Sequence, residues 1–326
     1  MNKSIIERIF NLGLIPIVKI DDIEKATKLS ACLYKGGLDC IEVAYRTKNA
    51  TEAIKKINEM DEDILVCAGT VSNLQEANEA INAGAKAIFT PGLNEKLITW
   101  CKEKNILIIP GVSTASEVEK AREYGLNILK FFPAEASGGV EKLKALSAVY
   151  KDIKFIPTGG INEENIKSYL NLENVEACGG TFMVDEEKIK ENDWEGIEKS
   201  VKEAIRVMLD YQLIHVGINE TSKEDALRVA NIFCDLFDFK LYNKPRSYFG
   251  GRGFEIMHKK GYGKNGHIGI YTAFPEKAIY QLKKKGIKVL EETVTRNKKT
   301  NRINLAYLDL EISGFAIHLI NPDVKM

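Results

Sequence analysis

The chain has 326 residues, 44% hydrophobic and 28% charged, enough for two domains with real cores. Its 46 basic and 46 acidic residues cancel, which argues against a global field drawing it to nucleic acid or a membrane surface; anionic ligands must be held by local groups. No apolar run approaches the ~18 residues of a membrane span, and the six cysteines occur without a Cys-x-x-Cys pair, as expected of reduced thiols in a cytoplasmic protein.

The first segment, Met1 to Leu14, reads as a short amphipathic helix without the apolar run and cleavage site of a signal peptide. Short β-like runs then alternate with helical patterns. The runs are Ile15–Ile20, Cys40–Arg46, Leu65–Thr70, Ala87–Gly92, Leu107–Val112, Ile128–Glu135, Lys154–Gly160 and Val175–Val184. Helical patterns between them include Ala26–Lys35, Leu74–Ala83, Leu93–Lys104, Ala115–Tyr124 and Glu163–Leu170. Eight strands, each followed by a helix, is the count for an α/β protein of the (β/α)8 TIM-barrel type. A doubly wound open sheet is the alternative, but it rarely runs through eight consecutive units. A last helix, Trp194 to Leu209, closes the pattern and a first domain over residues 1–210.

Beyond Leu209 the character changes. All four histidines of the chain lie here: His215, His258, His267 and His318. The segment repeats itself. Leu213-Ile-His-Val-Gly-Ile218 echoes Gly266-His-Ile-Gly-Ile270, and a helical pattern follows each copy, at Lys223–Phe237 and Pro275–Lys285. Gly253-Phe254 echoes Gly314-Phe315. Two copies of a strand-helix-strands unit predict a smaller α+β domain of paired modules over residues 213–326.

In a barrel, the C-terminal strand ends and their loops carry the chemistry. Lys130 stands in the otherwise apolar run Asn127-Ile-Leu-Lys-Phe-Phe-Pro133, sharing a face with Ile128 and Phe132. Burial there disfavours the ammonium, and an uncharged amine is what attack on a ketone requires. The competing reading is a lysine that reaches solvent or pairs with a carboxylate. Glu42, in Cys40-Ile-Glu-Val-Ala-Tyr-Arg46, is flanked by aliphatic residues and should point inward. It needs a partner there: either a structural ion pair with Arg46 or Lys130, or a role as general acid/base. An inward Glu and an inward Lys on different strands favour the catalytic reading. Arg46 and Thr70, at the ends of their strands, can together hold a carboxylate. Gly159-Gly160 and Gly179-Gly180-Thr181 end the last two strands. They are either tight turns or a backbone cradle for an anion.

These residues carry a family resemblance. Gly36-Gly-Leu-Asp-Cys-Ile-Glu-Val-Ala-Tyr-Arg-Thr47, Ala68-Gly-Thr-Val71, Phe89-Thr-Pro-Gly92, Pro110-Gly-Val-Ser-Thr114, Leu129-Lys-Phe-Phe-Pro-Ala-Glu135 and Pro157-Thr-Gly-Gly-Ile161 occur in family order. Residues 1–209 thereby resemble the 2-keto-3-deoxy-6-phosphogluconate and 4-hydroxy-2-oxoglutarate aldolases. The resemblance implies a homotrimeric class I aldolase with no cofactor, its Schiff base on Lys130 and its acid/base on Glu42. It implies a keto-acid carboxylate at Arg46, Thr70 and Pro91, Phe132 lining the site, and a phosphate on Gly159, Gly160, Gly180 and Thr181. Thr181 departs from the serine usual in the family. The rival readings are a pyruvate aldolase for another sugar acid, a phosphate-binding barrel with different chemistry, and a sensor that has lost activity.

Residues 213–321 look like the vicinal oxygen chelate (glyoxalase/dioxygenase-like) superfamily, whose modules are βαβββ. In that superfamily a divalent metal takes one ligand from the first and one from the last strand of each module. The resemblance places such ligands at His215, Glu255 or Met257, His267 and His318. Aligning the repeats on Gly-Phe sets Met257, not Glu255, opposite His318. A metal-free module with strand histidines stays open beside the metal reading.

Overall fold

The computed structural model describes residues 2–321, so the last five residues of the expected second domain lie outside the described part. The chain divides into two compact units between Met208 and Leu209.

The first unit is α/β. Its strands are β1 (Leu14–Val18), β2 (Cys40–Ala44), β3 (Leu65–Gly69), β4 (Ala87–Phe89), β5 (Leu107–Ile109), β6 (Gly111–Val112), β7 (Ile128–Phe131), β8 (Lys154–Pro157) and β9 (Cys178–Gly180). They are shorter than the runs read from sequence, because the chain turns at the residues that end each run. The single run Leu107–Val112 splits into β5 and β6 at Pro110, which has no N–H to add to a ladder. All pairings are parallel, in the orders β5-β4-β3-β2-β1-β9 and β6-β7-β8. A parallel bridge between Thr158 and Gly179 links the end of β8 to β9, so the sheet curls back toward its beginning. Except for Lys154, every residue of these strands is buried, as expected where helices cover a parallel sheet.

The covering helices start where the sequence supplies caps. Asn73, Asn94 and Thr114 each accept a hydrogen bond from the first turn of the following helix. At Thr114 the cap is reciprocal: Glu117 accepts from the backbone N–H and hydroxyl groups of both Ser113 and Thr114. This fixes the loop between β6 and helix Ala115–Glu123, at the end of the sheet where side chains of the strand ends gather.

Among the described residues, the second unit is one eight-stranded sheet with two α-helices among its elements. Its strands are β10 (Gln212–Asn219), β11 (Leu241–Asn243), β12 (Ser247–Gly250), β13 (Phe254–Met257), β14 (Gly266–Tyr271), β15 (Thr295–Arg296), β16 (Ile303–Ile312) and β17 (Phe315–Ile320). Their order is β11-β12-β13-β10-β14-β17-β16-β15. Each half reads strand, helix, three strands, and the halves meet at the antiparallel pair β10–β14. In each half the first strand pairs in parallel with the last: β10 with β13, β14 with β17. One face of the first half packs under helix Lys223–Phe237, where Tyr248 and Ile256 meet Ala226 and Ala230. Alternation along β12 and β13 therefore sends Ser247, Phe249, Glu255 and Met257 to the opposite face. No helix among the described residues is long and apolar enough to cross a membrane.

Candidate functional site

Lys130 and Glu42 meet inside the first unit. Both are buried, with 4% and 1% of their surface exposed. The Lys130 ammonium donates to Glu42 Oε1 at 2.9 Å. Their strands do not pair: β2 lies between β1 and β3, and β7 between β6 and β8. The bond therefore spans the interior enclosed by the curled sheet. Two aromatic rings also lie near the amine. The rings of Phe89 and Phe132 each lie 5.6 Å from Nζ, a distance at which a ring face attracts a cation.

Room for the carboxylate comes from the neighbouring strand. A Cβ on Gly69 would fall 2.3 Å from Glu42 Oε1, so this position demands glycine. The next residue, Thr70, is held at φ 57°, a left-handed conformation that costs a β-branched residue energy and that clusters at functional sites.

The other residues singled out by sequence stand at the ends of their parallel strands. Arg46 is exposed two residues beyond β2, and among the described residues its guanidinium has no carboxylate partner. Of the two structural partners open to Glu42, the structure thus selects Lys130. Pro91 is exposed just past β4, and its carbonyl lies where a Cβ on Gly111 would be. Phe132 is half-buried. Gly159 and Gly160 adopt φ values of 97° and 81°, which suit glycine alone. Gly180 is buried, while Thr181 is exposed.

Sequence reasoning passed over Thr158. It is 5% exposed, and its hydroxyl oxygen has no hydrogen-bond partner among the described residues. The signal was available: Ile156 pairs with Lys130 and therefore shares its face, and Thr158 lies two residues further along the same strand direction.

A family model described as KDPG and KHG aldolase matches residues 5–200. The chain belongs to the KDPG and KHG aldolase family. A 2-dehydro-3-deoxy-phosphogluconate aldolase of Haemophilus influenzae is 38% identical over 63% of this chain and 97% of its own length. A KHG/KDPG aldolase of Escherichia coli K12 is 38% identical over 62% of this chain and 96% of its own. Among solved structures, the KDPG aldolase of Legionella pneumophila, with pyruvate captured as a covalent carbinolamine, has a TM-score of 0.59 and 37% identity. It covers 61% of this chain and 97% of its own.

The second unit holds a separate cluster. His215, His267 and His318 are 4%, 3% and 2% exposed, and their rings converge. His215 Nε2 lies 3.2 Å from His267 Nε2 and 3.1 Å from His318 Nε2. Glu255 Oε2 lies 3.2 Å from His267 Nε2 and 3.5 Å from His215 Nε2. Burial pushes His215 down to about 4 and His318 down to about 3, so both rings are neutral at pH 7. Burial also pushes the Glu255 carboxyl upward, but hydrogen bonds from His267 and Ser247 outweigh it, and the carboxyl lies at about 2. Phe249 sits edge-on to His215, with ring centroids 6.1 Å apart, and Tyr307 stacks on His318 at 4.9 Å. The fourth histidine, His258, lies against Tyr248 instead.

Strand register corrects the alignment of the two repeats. His215 and His267 begin the same motif. Two residues on, Gly217 pairs with Glu255 and Gly269 pairs with His318. Glu255, not Met257, is therefore the counterpart of His318. Glu255 is one residue past its Gly-Phe and His318 is three past its own, so aligning the dipeptides shifts the register by two. The motif also has a second function. A Cβ on Gly217 would fall 2.1 Å from the His267 ring, and one on Gly269 would fall 2.3 Å from the His215 ring. Each His-x-Gly thus supplies one imidazole and the notch that admits the other.

Proposed function

We propose that the first unit is a (β/α)8-barrel class I aldolase that cleaves 2-keto-3-deoxy-6-phosphogluconate to pyruvate and glyceraldehyde 3-phosphate, or 4-hydroxy-2-oxoglutarate to pyruvate and glyoxylate. The observation that carries this reading is the buried Lys130–Glu42 contact at 2.9 Å. Glu42 can take a proton from the ammonium without exposing either group to water. The free amine then adds to the C2 ketone, giving a carbinolamine. Glu42 gives its proton to the departing hydroxyl, so loss of water leaves a protonated imine, an electron sink conjugated to the bond that must break, and a free carboxylate. Glu42 accepts the C4 hydroxyl proton, directly or through one water. The C3–C4 bond breaks, the aldehyde leaves, and the electron pair moves into an enamine. Glu42 returns the proton to C3, and hydrolysis of the imine releases pyruvate and regenerates Lys130. No metal takes part in these steps.

Arg46, Thr70 and Pro91 are assigned to the substrate carboxylate, with Phe132 as a wall. The left-handed Thr70 and the unpaired Arg46 support this placement. Gly159, Gly160, Gly180 and Thr181 are assigned to the phosphate, supported by the open backbone of Gly159 and Gly160. A homotrimer in the cytoplasm is the expected setting. Cleavage assays on 2-keto-3-deoxy-6-phosphogluconate, its unphosphorylated form and 4-hydroxy-2-oxoglutarate test the reading. Turnover of at least one of the named substrates by the wild type, and none by Lys130→Met, is expected. Equal turnover by both proteins would overturn it.

We also propose that the second unit is a vicinal-oxygen-chelate-type domain that holds one divalent metal ion through His215, Glu255, His267 and His318. Imidazole nitrogens at ~2.0–2.1 Å from one ion stand about 3–3.4 Å apart, and the two shorter contacts here are 3.1 and 3.2 Å. Protons alone serve this cluster poorly: each Nε2 offers one proton or one lone pair, and His215 faces two such nitrogens at once. Three imidazoles and one carboxylate suit zinc, iron, manganese or nickel. Such an ion supplies a Lewis acid to an oxygen ligand. Metal analysis of the purified chain, with His215→Ala/His267→Ala as control, tests this. About one ion per chain, lost in the double variant, is expected; equal metal content in the two would refute it.

A further inference from the structure

Building on the metal reading, we propose that Ser247 is a positioning residue of that centre, fixing Glu255 so that it presents a single oxygen to the ion. Ser247 opens β12 and is 2% exposed. Its hydroxyl donates to Glu255 Oε1 at 2.6 Å, while the other oxygen, Oε2, is the one facing His267 and His215. The two carboxylate oxygens thus have different duties: one is tied to the scaffold and one is turned to the cluster.

Register explains why serine can do this. Ser247 pairs with Met257 and Phe249 with Glu255, so Ser247 and Glu255 are diagonal neighbours on one face of β12 and β13. A short hydroxyl reaches along that diagonal. Tyr248, between them in sequence, points to the helix side and cannot.

The rest of the cluster makes this bond more important. Metal-binding histidines usually donate their second ring nitrogen to a neighbour that fixes the ring. Here the Nδ1 atoms of His215, His267 and His318 are buried and without a hydrogen-bond partner among the described residues. The His215 and His318 rings are oriented by packing, on Phe249 and Tyr307. The Ser247–Glu255 bond is an outer hydrogen bond that orients the carboxylate of this set. It also ties up the oxygen that a chelating carboxylate would use.

The test uses the full chain stripped of metal and titrated with Zn²⁺ and, for its spectrum, Co²⁺. Ser247→Ala should fold when metal-free with a modestly lower melting temperature, bind Zn²⁺ about 10–100-fold more weakly, and shift the visible Co²⁺ bands as Glu255 changes its mode of binding. Ser247→Cys keeps the volume but donates weakly, and it should weaken binding likewise. Wild-type affinity and an unaltered Co²⁺ spectrum in both variants would overturn the role of Ser247 and leave the metal reading intact. Binding by the wild type no tighter than by His215→Ala/His267→Ala would overturn the metal reading, and this inference with it.

Discussion

Lys130 and Glu42 are each unfavourable alone in a dry interior and acceptable together. Removing one partner of a buried ion pair strands the other, at a cost of about 3–5 kcal/mol. Lys130→Met should therefore lower stability to chemical denaturation by roughly that amount, and Lys130→Met/Glu42→Leu should recover most of the loss. Unfolding curves showing the single variant as stable as wild type would mean the pair is not buried as described. Glu42→Gln keeps the shape and removes the base; kcat should fall by about 10²–10⁴. Both residues were legible from sequence because a charged side chain inside an apolar alternating run has few explanations. Their contact stood only as one of two pairings open to Glu42, since it depends on how far the sheet curls. Thr158 and Ser247 were missed for a related reason. A hydroxyl disturbs no hydrophobic pattern, and its importance appears only with its cross-strand neighbours.

At the scale of elements, glycines and caps shape both sites. Gly269→Ala places a methyl where the His215 ring lies, and Gly217→Ala does the same to His267. Each should reduce metal affinity at least as much as loss of one ligand, measured by competition with a chelator; unchanged affinity would remove the notch from the account. In the first unit, Glu117 closes the cap at the loop after β6. Burial raises its carboxyl somewhat, but hydrogen bonds from Ser113 and Thr114 prevail and the net shift is downward from 4.5. A depressed carboxyl stabilises the fold above that ordinary value, and the contribution is lost as pH falls through the shifted one. Glu117→Gln should thus flatten the acid side of the melting temperature profile while changing little once the pH is well below the shifted value. Strand and helix positions were largely readable from short apolar runs alternating with amphipathic segments, as with Trp194–Leu209. Alignment of the two repeats was not, because similar dipeptides do not fix register. Glu255 and His318 match through their ladder partners, at different distances from the shared Gly-Phe.

At the scale of the molecule, the chain carries two chemically distinct centres, an amine–carboxylate pair and a histidine-rich cluster. The alternation of eight strands with helices made the first unit legible, and a repeated motif exposed the two-fold plan of the second. Metal binding should appear as a thermal shift: an ion at 100 times its dissociation constant stabilises the unit that binds it by about 2.7 kcal/mol. Chelator should reverse that shift without lowering aldol cleavage, because the imine supplies the electron withdrawal. The central claim, a nucleophilic amine at Lys130, is tested most directly by reducing the protein with borohydride in the presence of pyruvate and mapping the adduct by peptide mass spectrometry. The account predicts a pyruvate-dependent adduct on the peptide containing Lys130 and none in Lys130→Met. An adduct confined to another lysine, or no adduct at all, would contradict it.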